Sequence, residues 1–456
     1  MNYVLRNMRK KRILILTIFI LIAFIPADNI QENEFPLFRV VLDPGHGGVY
    51  LEDRKKHGDK FDLVNSEYLN FFAPGAEYRG IYEHKIVYNI ALKAMGILSY
   101  CSKDGDFDQF KKILKKYTDS TIKKIYIQTI ISRKKSITQI EVKNSSDPNA
   151  EYRLYDFPGP DGDMQKGRIS KMNEYKPHLI VSLHLAVSAP PDYLGMNGII
   201  VPPYNVLKEG LLRLKNKDTD RPLDDNNRLR FWFKNSERIT SKYAFYNDSA
   251  HYFTSYGITE DYKTDYNDYK GYKHNMVTWR YRDNFLWDLE AEKHRPDTEY
   301  SADYNSFIET GRFREREKSV YEEYRRGSSF QDFGGDNYHA TYEIIKYILF
   351  SLNESGVSRK DKIPGKPFVS TWSIPLLVNA ISAYIELGYL DRKWDRNVLL
   401  KRQDEIAEGV AVGVYSLLAG IDNVKGEFKS KPSGKSIDLS RYNITPEKSY
   451  FDIVTE

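Results

Sequence analysis

Val40-Val41-Leu42-Asp43-Pro44-Gly45-His46-Gly47-Gly48 is the stretch on which the reading of this chain turns. Phe38 to Leu42 is a short apolar run, and it stops at Asp43-Pro44-Gly45. An apolar run of that length closed by turn residues reads as a buried strand delivering a tight loop. The loop carries His46 with glycine on both sides, so backbone can come close to whatever the imidazole binds. Taken alone, His46 also reads as a turn histidine without a ligand.

Working outward, the same grammar repeats. Glu83 to Leu98 has apolar residues at 86, 87, 90, 91, 94, 97 and 98, which is helical spacing. Glu83 therefore opens an amphipathic helix. Leu179 to Leu183 is a second buried strand that runs into His184, and Gly198 to Val201 is a third. Tyr342 to Leu352 reads as a helix, Ala383 to Leu390 as a strand crossing Glu386, and Gln403 to Leu418 as a closing helix. Strands alternating with helices imply an α/β domain with a mostly parallel central sheet flanked by helices.

Two regions interrupt the alternation. Residues 101–150 are Lys-rich and include a strand-like run from Ile125 to Ile131. Residues 205–335 are dense in Tyr, Arg, Lys and Asp and are read as a large insertion. The α/β domain is then 36–204 together with 336–420. The tail, 421–456, is polar from Asp422 onward and is expected to lie over the surface or to be loose.

Composition narrows the field. The 456 residues are ample for one large domain or two ordinary ones, and 41% apolar content suffices for a core. A net charge of +5 set against 68 basic and 63 acidic residues describes a mixed charged surface and gives no case for nucleic acid. The single cysteine, Cys101, precludes an intramolecular disulfide and follows an apolar helical pattern, so it reads as a buried thiol. Arg6, Arg9, Lys10, Lys11 and Arg12 precede an almost purely apolar run from Ile13 to Ile25, then Pro26-Ala27-Asp28. That is the shape of a secretory signal over residues 1–27. Because Ile25 stands where a small residue is usual, an uncleaved N-terminal anchor is the other expectation. Either form places the protein outside the cytoplasm, in the periplasm or cell envelope.

In open α/β sheets, sites gather at the carboxyl ends of strands. His46 and His184 each leave a buried strand, and Glu83 opens a helix that can meet them. Two imidazoles and a carboxylate make the usual open zinc site; alternatively, each packs independently. His84 competes with Glu83, but adjacent helical residues point about 100° apart, so only one can face a metal. His57, His178, His251, His274, His294 and His339 have no comparable context and read as surface or packing histidines.

The stretch Val40 to Gly48 resembles the opening signature of the zinc N-acetylmuramoyl-L-alanine amidases known as Amidase_3. Further segments are similar in the family's order: Pro74-Gly75-Ala76 before Glu83, Arg168 and Asn173 on a helix, Ser182-Leu183-His184, and Glu386-Leu387-Gly388-Tyr389 with Asp395 and Leu399-Leu400 behind it. The chain departs from the pattern at Ala186 and Arg392, where the family usually has Asn, and in the placing of Pro375. The resemblance implies His46, Glu83 and His184 as ligands of Zn2+, Glu386 as catalytic acid/base, and Arg168 and Asn173 as substrate-binding residues. It implies hydrolysis of the amide between the lactyl group of N-acetylmuramic acid and L-alanine in peptidoglycan. The alternatives are another zinc hydrolase, such as a stem-peptide carboxypeptidase, and a non-catalytic wall-binding protein on the same fold. Related amidases of cell division carry an inserted segment that a partner displaces, so a regulatory protein acting on 205–335 is a further expectation.

The N-terminal reading has a direct check. A reporter that works only outside the cytoplasm should be active when fused after residue 30, and activity confined to a cytoplasmic reporter would contradict export.

Overall fold

The computed structural model describes residues 35–47, 74–133, 164–188, 195–200, 333–357, 362–369, 374–378 and 380–442, with shorter pieces at 61–62, 67–68, 153–154, 157–158, within 209–222, and at 444–449. The N-terminal segment 1–27 and residues 223–332, most of the expected insertion, lie outside the described residues.

Among the described residues a six-stranded sheet forms the centre. Its strands are β1 (Leu37–Pro44), β2 (Tyr126–Ile131), β3 (Leu179–Ala186), β4 (Asn197–Ile200), β5 (Phe368–Val369) and β6 (Ile381–Tyr389), in the spatial order β5-β4-β6-β3-β1-β2. β2, β1, β3 and β6 run parallel, and β4 is antiparallel to β6. The mostly parallel sheet agrees with the alternation in the sequence. One placement differs: the run at Ile125 to Ile131 belongs to the sheet as its edge strand, in register with β1 from Leu37↔Tyr126 to Leu42↔Ile131. The Lys-rich segment around it thus includes core structure.

The central strands β1, β3 and β6 are mostly buried on both faces, as parallel strands inside a covered sheet require. Val40, Leu42, Val181, Leu183, Ala383 and Ile385 join the main hydrophobic core. Three helices cover that face: α1 (Glu83–Leu98), α4 (Phe333–Glu354) and α7 (Gln403–Ala419). α7 packs on both α1 and α4, while α1 leans on β1, β2 and β3 and α4 on β6 and β4. Each fully buried Leu, Ile or Val contributes about 1.5–3 kcal/mol. Successive strand residues point to opposite faces. Asp43, Ser182, His184, Tyr384 and Glu386 therefore fall on the face away from these helices. Shorter helices among the described residues include α2 (Phe107–Leu114), whose first turn is capped by Asp106 accepting from Asp108 N at 3.1 Å, α3 (Arg168–Glu174), α5 (Ile374–Leu377) and α6 (Lys393–Lys401).

The described part of the tail is anchored rather than loose. Ile437, Leu439, Tyr442 and Ile444 enter the core, and the buried carboxylate of Glu343 on α4 accepts from Gly434 N at 2.7 Å and Ser433 Oγ at 3.0 Å. His178, just before β3, ties the tail to β1. Its Nδ1 accepts from Arg39 N at 2.9 Å, so the proton sits on Nε2, which donates to Thr445 O at 2.8 Å. Cys101 is buried in the core, and burial pushes its thiol pKa up, which leaves it inert as a nucleophile.

The α4–α7 crossing depends on Gly409. A Cβ there would lie 2.4 Å from Ile348 Cα. Gly409→Ala raises helix propensity by about 1 kcal/mol, yet overpacking at the crossing should outweigh it and destabilise the protein by about 1–3 kcal/mol. Urea unfolding measures the sign, and a more stable variant would contradict the close approach.

Candidate metal centre

Three backbone devices bring the predicted ligands together. The first is register. Pro44 pairs with Leu183, so the loop leaving β1 passes beside the end of β3, and Gly45 N donates to Leu183 O at 2.8 Å. A Cβ on Gly45 would lie 2.2 Å from His184 Cε1, so only glycine lets the loop cross the imidazole. The second is the left-handed backbone of His46, at φ 55°, which turns the side chain back over the sheet edge. Such a conformation costs a non-glycine residue on the order of 1–3 kcal/mol and clusters at functional sites. The third is the hairpin Glu77–Tyr78/Ile81–Tyr82, which leads into α1 and presents Glu83 in its first turn.

The result is a compact donor set. His46, Glu83 and His184 each offer one ligand atom, and these atoms lie within 4.8 Å of one another. Glu83 Oε1 is 3.1 Å from His184 Nδ1, and Oε2 is 3.8 Å from His46 Nε2. Backbone fixes the carboxylate: Oε1 accepts from Leu185 N at 2.9 Å and Oε2 from Ala76 N at 2.6 Å. Burial alone would raise the Glu83 pKa. The two imidazoles and the Ala76 amide outweigh it and hold the group down to about 2, so it stays ionised. Gly75, at φ 102°, lets the Pro74-Gly75-Ala76 turn lie within contact of both Glu83 Oε2 and His46. Two imidazoles and an ionised carboxylate converging from one side fit a zinc ion that keeps one position open. His84 faces elsewhere. It is buried, and burial with the nearby Arg133 lowers its pKa to about 4.

Glu386 stands beside this set. It is the Cα partner of His184 across β6 and β3, so the two side chains leave the same face of the sheet. It is buried, and its Oε2 has no hydrogen-bond partner among the described residues. Burial first, and then repulsion from Glu83, push its pKa well above the usual carboxylate range. Just beyond it, β6 is irregular between Glu386 and Tyr389, where Gly388 takes φ 155°.

Arg168 and Asn173, at either end of α3, are both buried. The Arg168 guanidinium bonds Asp43 Oδ1 at 3.1 Å and Pro44 O at 3.0 Å, so it braces the loop that carries His46.

Several residues at the site had no role assigned from sequence. Arg133 is buried and donates to Pro44 O at 2.9 Å, Gly45 O at 3.3 Å and His84 O at 2.8 Å. It thereby joins the His46 loop to the start of α1. Tyr384 stacks on His184, with ring centroids 4.3 Å apart. Ser182 lies between Asp43 and His184, bonded to both. A signal for Ser182 was present: a polar residue inside a buried strand, two places from His184, shares its face and needs a partner.

Solved structures similar to this chain include N-acetylmuramoyl-L-alanine amidases. Ami1, the N-acetylmuramyl-L-alanine amidase of Mycobacterium smegmatis, is 14% identical over 83% of this chain and 94% of its own, with a TM-score of 0.32. The N-acetylmuramoyl-L-alanine amidase of Clostridium difficile 630 is 14% identical over 84% and 96%, with a TM-score of 0.29. The CwlD amidase of Clostridioides difficile, solved in complex with the GerS lipoprotein, is 17% identical over 42% and 76%, with a TM-score of 0.20. No protein-family model and no curated protein matches the chain. The chemistry of the site therefore rests on its own side chains.

His46→Ala and His184→Ala should each lose bound metal. Gly45→Ala should do the same with every ligand intact, because the added methyl displaces the His184 ring. Metal analysis after dialysis checks all three, and full zinc retention in Gly45→Ala would contradict the packing of that ring.

Proposed function

We propose that the protein is a zinc-dependent N-acetylmuramoyl-L-alanine amidase of the cell envelope. The observation that carries the reading is the convergence of His46, Glu83 and His184 within ligand distance of one another, with Glu386 in register beside His184. Zinc, when bound, supplies Lewis acidity, which activates water at neutral pH and polarises an amide carbonyl. His46, Glu83 and His184 would hold it.

The remaining work falls to the protein. Glu386 is buried, one of its oxygens has no hydrogen-bond partner among the described residues, and burial and Glu83 raise its proton affinity. A carboxyl tuned in this way takes a proton from the attacking water and returns it to the leaving amine of L-alanine. The acyl fragment is the lactyl group of the muramic acid, and no covalent intermediate is needed. The substrate class comes from the likeness of Val40 to Gly48 and the later motifs to the amidase signature. The other readings are a stem-peptide carboxypeptidase using the same metal chemistry, and a wall-binding protein without turnover. Retention of all four chemical positions favours an active enzyme over the last of these. Export through residues 1–27 and control by a protein acting on 205–335 belong to the same proposal.

Intact sacculi decide among the three readings. The purified protein should release free muramoyl lactyl ends; shortened peptides would indicate the carboxypeptidase, and no release the binding protein. Glu386→Gln should keep zinc and fold while losing about 10²–10⁴ in rate. Near-normal turnover in that variant would move the proton-transfer role to another residue.

A further inference from the structure

Asp43 is fully buried beside the site and has three side-chain partners. It accepts from Ser132 Oγ, from Arg168 Nη1 at 3.1 Å and from Ser182 Oγ at 2.7 Å. Burial would raise its pKa, but Arg168 and the two hydroxyls prevail and lower it, so Asp43 is an ionised group that can only accept. Register makes the contact with Ser182 obligatory, since Asp43 and Ser182 are Cα partners across β1 and β3 and share a face.

The direction of that bond has a consequence one step further on. A serine hydroxyl has a single proton. Ser182 gives its proton to Asp43 Oδ2, so toward the imidazole it can only accept. His184 Nε2 lies 3.2 Å from Ser182 Oγ and must therefore carry the ring proton. In the neutral ring this leaves Nδ1 bare, and Nδ1 is the atom that faces Glu83 Oε1 at 3.1 Å. Oε1 is itself an acceptor. Two acceptors aimed at each other at that distance repel unless a second ring proton or a metal cation lies between them. Tyr384, stacked flat on the ring, opposes its rotation away from this arrangement.

We infer that Asp43 and Ser182 are positioning residues: Asp43 orients the Ser182 hydroxyl, and Ser182 fixes His184 in the Nε2–H tautomer, with Nδ1 presented as the metal-binding nitrogen. The inference rests on the metal reading of the site and adds which nitrogen binds and what selects it. Outer partners of this kind typically contribute about 10–100-fold to metal affinity. Asp43→Asn is the informative change. Its amide can donate to Ser182, which frees the hydroxyl to donate to Nε2 and favours the wrong tautomer.

The test uses the zinc-loaded full chain. Long-range ¹⁵N–¹H spectra of histidine-labelled protein should show His184 protonated at Nε2 and ligated through Nδ1, with the signal assigned by its loss in His184→Gln. Competition with a chromophoric chelator should show Asp43→Asn and Ser182→Ala binding zinc about 10–100-fold more weakly, with their circular dichroism unchanged. Ser182→Thr, which keeps the hydroxyl, should bind as the parent does. Parent affinity in both Asp43→Asn and Ser182→Ala overturns the relay. Zinc bound through Nε2 in the parent also overturns it, whether or not any variant folds. A parent that takes up no zinc sinks the relay together with the metal reading. A parent that binds zinc through Nδ1 but cleaves no sacculi leaves the relay standing and removes only the proposed activity.

Discussion

The register of three parallel strands is the constraint on which the rest depends. β3 pairs with β1 so that Pro44 meets Leu183, and with β6 so that Glu386 meets His184. A slip of one residue would turn Asp43, Ser182, His184 and Glu386 toward the helices and send Leu42, Leu183 and Ile385 the other way. The hydrophobic core therefore specifies the site. Burying the apolar set on the α1–α4–α7 side leaves the polar set nowhere to go but the opposite face and the carboxyl edge. Glu83 then has only to open α1 at that same edge.

The arrangement collects charge where it is expensive. Asp43, Glu83, Glu386, Arg133 and Arg168 are all buried near one sheet edge. A buried charge is tolerated only when paired or fully hydrogen-bonded. Asp43 meets Arg168 and two hydroxyls, Glu83 meets two backbone amides, and Arg133 meets three carbonyls that the Asp43-Pro44-Gly45 turn and the first turn of α1 leave available. Burial with the neighbouring Arg168 even draws the Arg133 pKa down to about 9. Glu386 keeps one oxygen without a hydrogen-bond partner among the described residues, and it is the residue to which proton transfer is assigned.

Much of this was legible in the sequence, for reasons that can be named. β3 is an apolar run broken by Ser182 and followed by His184 near its carboxyl end, and α1 spans Glu83 to Leu98 as its apolar spacing requires. His46, Glu83 and His184 stood at element ends, where sites form. Other features carried no such signal. Arg133 acts through backbone carbonyls distant in sequence, and no spacing encodes that. The run at Ile125 to Ile131 read as a strand, but its Lys-rich surroundings concealed that it pairs with β1. In the tail, Ile437, Leu439, Tyr442 and Ile444 are buried singly in irregular backbone, so they show neither helical nor strand periodicity and read as polar surface.

The central claim is that His46, Glu83 and His184 form one zinc centre at the carboxyl edge of the sheet. Anomalous diffraction at the zinc edge, from crystals of the purified protein, tests it most directly. The account predicts a single strong peak about 2.0–2.2 Å from one nitrogen each of His46 and His184 and one oxygen of Glu83. A peak held by other residues, or none at these three, would contradict it.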